Sequence, residues 1–158
     1  MDMAKKLSFL VAFLAFTYVM AWVKAYNQSS EYFEYARQQR DNGNLTYALK
    51  GMNKLELRIE EKYLGGYQQV IETWESSIIG PRPDFYDQAV KEADEIIPQL
   101  SEQELESFIE IYVQLDTRYV PEAAKELLKK SEHAGNINMA KEMYEFLHEA
   151  FPDQAYQS

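Results

Sequence analysis

Cysteine is missing from all 158 residues. That excludes disulfides, thiolate metal sites, cysteine nucleophiles, covalent haem attachment and a lipoprotein anchor through cysteine. Histidine is scarce, with only His133 and His148. Neither belongs to an HExxH motif or to a plausible Ser/His/Asp order, so they read as helical surface residues. Glu60-Glu61 and Glu102/Glu104/Glu106 read as solvated charge rather than paired catalytic acids. Asp41 opens a DNGN stretch without the alternating oxygen ligands of a calcium loop. Glycine falls in turns and not in a phosphate-binding pattern. The chain is therefore expected to be non-enzymatic, with no catalytic residue, no metal and no cofactor. Basic residues are in deficit as well, 16 against 26 acids, for a formal net charge of −10. Such a surface repels nucleic-acid phosphates and anionic lipid headgroups, so no nucleic acid is expected among the partners.

Charge is absent altogether from LSFLVAFLAFTYVMAWV, Leu7 to Val23. As a helix this run spans roughly 26 Å, close to a hydrocarbon core of ~30 Å. Tyr18, Trp22 and Tyr26 are spaced four apart and share one helix side. Their amphipathic rings suit the membrane–water interface. Lys5 and Lys6 precede the run, which places the amino terminus in the cytoplasm. Val23-Lys24-Ala25 also fits a signal-peptidase site, but bulky Met20 and Trp22 lie just before it, and a retained anchor is the expectation. The domains are accordingly residues 1–25, a cytoplasmic tip and transmembrane anchor, and residues 26–158, a helical domain. Asn27-Gln28-Ser29 and Asn44-Leu45-Thr46 fit the glycosylation sequon, which matters only in a eukaryotic secretory lumen.

Beyond the anchor the apolar residues recur at helical spacing. No glycine or proline interrupts Leu7 to Asn42, which predicts one helix to about Arg40, with Tyr32, Phe33, Tyr35 and Ala36 in its stripe. Leu45, Ala48, Met52, Leu55 and Ile59 predict a second. Leu64-Gly65-Gly66 is a break, and Val70, Ile71, Trp74 and Ile78 form a third stripe. Gly80 to Asp84, GPRPD, is a stronger break. Phe85, Ala89, Ala93, Ile96 and Ile97 follow, stopped near Pro98. Ser101-Glu102-Gln103-Glu104 is a capping box that starts a helix through Leu105, Phe108, Ile109, Tyr112 and Leu115. Pro121 suits the first turn of the next, with Ala124, Leu127 and Leu128. A last helix holds Ala140, Met143, Tyr144 and Leu147 inside. No stretch alternates like a strand, so the fold class is all-α. Most of the twelve tyrosines are explained by helical packing.

One short phrase occurs twice, as GNLTYA (Gly43 to Ala48) and GNINMA (Gly135 to Ala140). Glycine permits the backbone conformation that ends one helix, and asparagine begins the next. Alanine leaves room for two helices to approach. The phrase predicts an antiparallel helix pair at each end of the domain.

This spacing resembles the tetratricopeptide repeat (TPR), a helix–turn–helix unit of ~34 residues. The last unit, about Glu122 to Pro152, carries it through Ala124, Leu127, Leu128, Gly135, Ala140, Tyr144, Leu147 and Pro152. The first carries it through Tyr32, Tyr35, Ala36, Gly43, Ala48, Met52 and Leu55. Gln39 and Ser131 stand where the family has an aromatic, and the middle is irregular. The resemblance implies a TPR-like α-solenoid of antiparallel helix pairs whose inner face binds a protein segment. Its partner-binding positions would be Phe33, Arg37 and Arg40 in the first unit and Lys125, Lys129 and His133 in the last, with Lys50 and Lys54 facing outward. The bases among them suggest an acidic segment as the partner. The implied function is a membrane-anchored scaffold or adaptor, with the alternative of a permanent accessory subunit of a respiratory, photosynthetic or secretion complex. The expected location is the bacterial inner membrane, with residues 26–158 in the periplasm.

Overall fold

The computed structural model describes residues 3–52, 62–77 and 80–155. Leu55, Ile59, Ile78 and Lys54 lie outside the described residues. Within them the fold is helical and no strand occurs. The elements are α1 (Met3–Asp41), α2 (Leu45–Lys50), α3 (Tyr67–Glu75), α4 (Phe85–Asp94), a 3-10 turn (Ile97–Gln99), α5 (Glu102–Leu115), α6 (Val120–Ala134), α7 (Ile137–Ala150) and the short α8 (Pro152–Ala155). The chain divides into two compact units, Met1–Glu92 and Ala93–Ser158.

In the first unit the uninterrupted reading of α1 holds, and position 25 falls within it. α2 and α3 pack against α1. The core joins Tyr32, Phe33 and Ala36 of α1 to Ala48 and Leu49 of α2 and to Tyr67, Val70, Ile71 and Trp74 of α3. Each large side chain buried here stabilises the fold by about 1.5–3 kcal/mol through its lost apolar surface. Ser29, wholly buried, accepts a hydrogen bond from Trp74 Nε1 at 2.9 Å and donates to the Ala25 carbonyl at 2.7 Å. The indole N–H therefore keeps a partner in the dry interior.

The second helix ends at Lys50, within the apolar stripe that predicts a longer one. Gly51 takes φ +81°, and a Cβ there would lie 2.6 Å from the Gly66 nitrogen. A Cβ on Gly66 would lie 2.5 Å from the Ala48 carbonyl oxygen. The end of α2 and the start of α3 thus meet backbone to backbone, a contact only glycines allow. Gly66→Ala is expected to cost roughly 2 kcal/mol, because backbone must move to admit one methyl group. Chemical denaturation of the full chain in detergent checks this; Gly66 has an ordinary negative φ of −95°, so the cost reports crowding alone.

Lys50 is buried, at 5% exposure, and does not face outward as the helical spacing predicts. The early stop at Gly51 folds the last turn of α2 under the start of α3.

The two repeated phrases do build the same turn. Gly43 has φ +80° and Gly135 φ +72°. Asn44 N–H reaches back to the Gln39 carbonyl, and Asn136 N–H to Ser131, each at 2.8 Å. These six-to-one bonds close both helices in the same way. Asn136 Oδ1 also accepts from Met139 N–H at 3.3 Å, capping α7.

In the second unit α6 lies between α5 and α7, packing on both. The Ser101 hydroxyl accepts from Glu104 N–H at 3.3 Å, while a Glu104 oxygen accepts from Ser101 N–H at 2.8 Å. The Ser101 hydroxyl also donates to that carboxylate at 2.6 Å, and this bond first, then the backbone N–H, holds the Glu104 carboxyl below its ordinary range. Leu105, Phe108 and Ile109 meet Val120, Ala123, Ala124 and Leu127, with Met143 and Leu147 closing the core. Tyr144, expected inside, is 54% exposed, because Met143 takes the inward place on α7.

Ala48 is wholly buried but Ala140 only partly, beside an open cleft lined by Leu128, Ser131, Ile137 and Tyr144. Ala48→Leu is therefore expected to cost about 1–3 kcal/mol by overpacking. Ala140→Leu should be nearly neutral, since the cleft takes the extra carbons. Paired thermal melts read the contrast.

Candidate functional site

The apolar start of α1 is the one helix among the described residues long and apolar enough to cross a membrane. None of the residues in its most apolar stretch is buried by the rest of the described residues. The helix then enters the first unit through the three aromatics assigned to the membrane interface. Trp22 meets Trp74 edge-on at 5.9 Å between ring centroids and stacks on Tyr26 at 5.3 Å. Tyr26 reaches Phe85 at 5.4 Å. Trp22 Nε1 donates to the Pro81 carbonyl at 3.1 Å. Gly80, at φ +118°, lies so close to Tyr18 that a Cβ would overlap the phenol oxygen. GPRPD, legible only as a break, is thus a strap laid over the Tyr18–Trp22 turn of α1.

The positions assigned to the first binding surface are placed differently. Phe33 is 4% exposed and stacks on Phe85 at 5.5 Å, which makes it a core residue and not an apolar anchor for a partner. The same stripe that suggested an inner face is the face on which α3 packs. Arg37 is exposed, with its guanidinium 5.8 Å from the Phe33 ring centroid. Arg40 pairs with Glu92 at 3.2 Å, and Tyr67 Oη donates to the same carboxylate. Burial, then that carboxylate, pushes the Tyr67 phenol above its ordinary range, so it remains a neutral donor. Arg40 therefore ties the far end of α1 to α4 and is engaged within its own unit.

Lys125 and Lys129 do lie together, on a cleft of the second unit with Ile97, Pro98 and Tyr119. Asp94, Glu122 and Glu126 line the same cleft, and Lys129 pairs with Glu126 at 3.3 Å. Carboxylates outnumber ammonium groups there, which removes the charge contrast that favoured an acidic partner. His133 is exposed on the last turn of α6. No group of three or more His, Asp or Glu is arranged around a metal position among the described residues.

A different surface of the second unit has a clearer chemical character. Between α5 and α7 runs a groove of about 400 Å³. Ile109, Val113, Leu127, Met139, Met143 and Phe146 form its floor. Glu106 and Glu110 stand on one wall, Glu142, Glu145 and Glu149 on the other. Met139 and Phe146 are half-buried, so apolar surface remains open between two rows of carboxylates. Flexible methionines and an aromatic on such a floor adapt to varied apolar side chains. The signal was present as glutamates beside the apolar stripes of both helices, yet only the packing of both on α6 turns them into one groove. The chain matches no protein family, no curated protein and no solved structure.

Proposed function

We propose that this chain is a membrane-held, non-catalytic, TPR-like interaction module, an adaptor or scaffold that brings a protein partner to the membrane. The observation that carries the reading is the use of Trp22 and Tyr26 as packing residues of the first unit. Cleavage after Ala25 would strip Trp22 from Trp74 and from Pro81. A signal sequence discarded after export has no reason to be built into the fold it leaves. We place the amino terminus in the cytoplasm, from Lys5 and Lys6, and the folded units across the membrane, in a bacterial periplasm.

The partner surface that the geometry favours is the groove between α5 and α7. Its floor suits the apolar face of a helix, and its glutamates select lysine and arginine along the edges of that face. The occupant is therefore a basic amphipathic segment of another protein. A permanent subunit would stay bound in fixed stoichiometry through detergent and salt. An adaptor with this rim would release its partner as ionic strength rises.

Alkaline carbonate extraction of native membranes with intact-mass measurement tests the anchor. The expected result is a membrane-retained chain containing Leu7–Val23. A released chain beginning at Tyr26 would end the reading.

A further inference from the structure

We propose that the Gly80–Pro83 strap is a lipid contact, in which Arg82 binds the phosphate of a phospholipid headgroup and seats the first unit on the bilayer. This rests on the anchor reading and adds a depth, an orientation and a ligand to it.

The depth follows from helix length. The strap touches α1 at Tyr18 and Trp22, inside the uncharged run and not beyond it. The apolar helix on the amino-terminal side of that contact, Leu7–Thr17, spans only roughly 16 Å. A hydrocarbon core is ~30 Å thick. If the strap stood clear of the bilayer, Val19, Met20 and Val23 would stand in water with it, and each is at least 40% exposed on α1. Burying those side chains in lipid draws the strap down with them. The hydrogen bond to Trp22 leaves it no separate freedom. Gly80 and Pro81 are thereby drawn to the outer edge of the hydrocarbon core beside Tyr18 and Trp22, and Arg82 beyond them reaches the headgroup layer.

The strap suits that layer. Two prolines remove two backbone donors, and the Pro81 carbonyl is already satisfied by Trp22. Arg82, the next residue, is exposed, with its guanidinium 4.6 Å from the Tyr86 ring centroid. This cation–π contact holds the guanidinium in place, and its N–H groups can fork onto two phosphate oxygens. The acidic character of the chain does not oppose this with a zwitterionic lipid, whose headgroup carries no net charge. Here one placed arginine acts and not a basic patch.

The absence of cysteine gives a clean measurement, because Asp84→Cys, two residues beyond Arg82, supplies the only thiol for a nitroxide label and leaves Arg82 in place. The full chain is placed in phosphatidylcholine nanodiscs, with Asn42→Cys labelled as the reference near the end of α1. The label at 84 is expected to be shielded from a water-soluble relaxant and relaxed by a headgroup-bound one, with the opposite result at 42. Equal water exposure at both sites would overturn the seat. Carbonate release of the unlabelled chain would instead overturn the anchor, so the two failures are distinct. For the ligand, solid-state NMR reads dephasing of arginine Cζ by ³¹P in the same nanodiscs. Dephasing is expected in the parent chain and lost in Arg82→Gln. Dephasing that survives in Arg82→Gln would overturn the assignment. So would its appearance in galactolipid nanodiscs given inorganic phosphate, which would mark a free-anion site and not a lipid contact.

Discussion

Replacing Trp22 with alanine is expected to destabilise the first unit by about 3 kcal/mol, the low end for loss of a packed aromatic because Trp22 is only half-buried. Three interactions go together: the edge contact with Trp74, the stack on Tyr26 and the hydrogen bond to Pro81. The loss should be visible locally as well as globally. Trp74 is 1% exposed in the intact fold. In the variant it is the sole tryptophan, and its fluorescence should become open to a water-soluble quencher. Trp22→Phe separates the parts, keeping a ring beside Trp74 and losing the N–H donor. It should retain more than half of the stability. A chain beginning at Tyr26 should behave like Trp22→Ala, which connects the measurement to the fate of the anchor. Unchanged melting together with a protected Trp74 would show that the apolar helix is a detachable leader, and the membrane-held reading would fall with it.

Much of both units could be read from the sequence where the signals are local. An uninterrupted stretch from Leu7 to Asn42 gave the long helix, and the Gly-Asn phrases gave two turns with the same hydrogen bonds. The Ser101–Glu104 box was legible for the same reason, since all its partners lie within four residues. What escaped was the meaning of the breaks. Gly51 was passed over inside an apolar stripe that runs on to Ile59. Its role appears only when Gly65 and Gly66, distant in sequence, arrive against it. GPRPD looked like a joint, and its use as a strap depends on Tyr18 and Trp22. The interaction surfaces were harder still. Phe33 and Arg40 sit on helix faces that sequence spacing marks as one stripe, and spacing alone does not tell which neighbour covers it. In the fold α3 covers Phe33, and Glu92 meets Arg40. The glutamates of α5 and α7 looked like ordinary solvated faces until α6 brought them to either side of one apolar floor.

That floor is where partner binding is expected to fail first. Met139→Glu with Phe146→Glu places two charges on the open apolar surface without touching wholly buried positions, so the helices should still form. A basic amphipathic helix would lose its apolar seat, and anchors of that kind dominate interface energies. Partner recovery through the full chain from native membranes should fall at least tenfold, a loss of about 1.4 kcal/mol or more. Glu110→Lys with Glu145→Lys tests the rim separately. It keeps the floor and reverses the local field, so a basic segment is repelled while an apolar one is not. Its effect should shrink as salt is added, whereas the effect of the floor variant should persist. Lys125→Glu with Lys129→Glu is the comparison that matters most. Those lysines share their cleft with Asp94, Glu122 and Glu126, so reversal there should leave recovery close to that of the parent chain. Loss of the partner in the lysine variant, with full recovery in both groove variants, would move the interface to the cleft beside Pro98. It would restore an acidic segment as the partner.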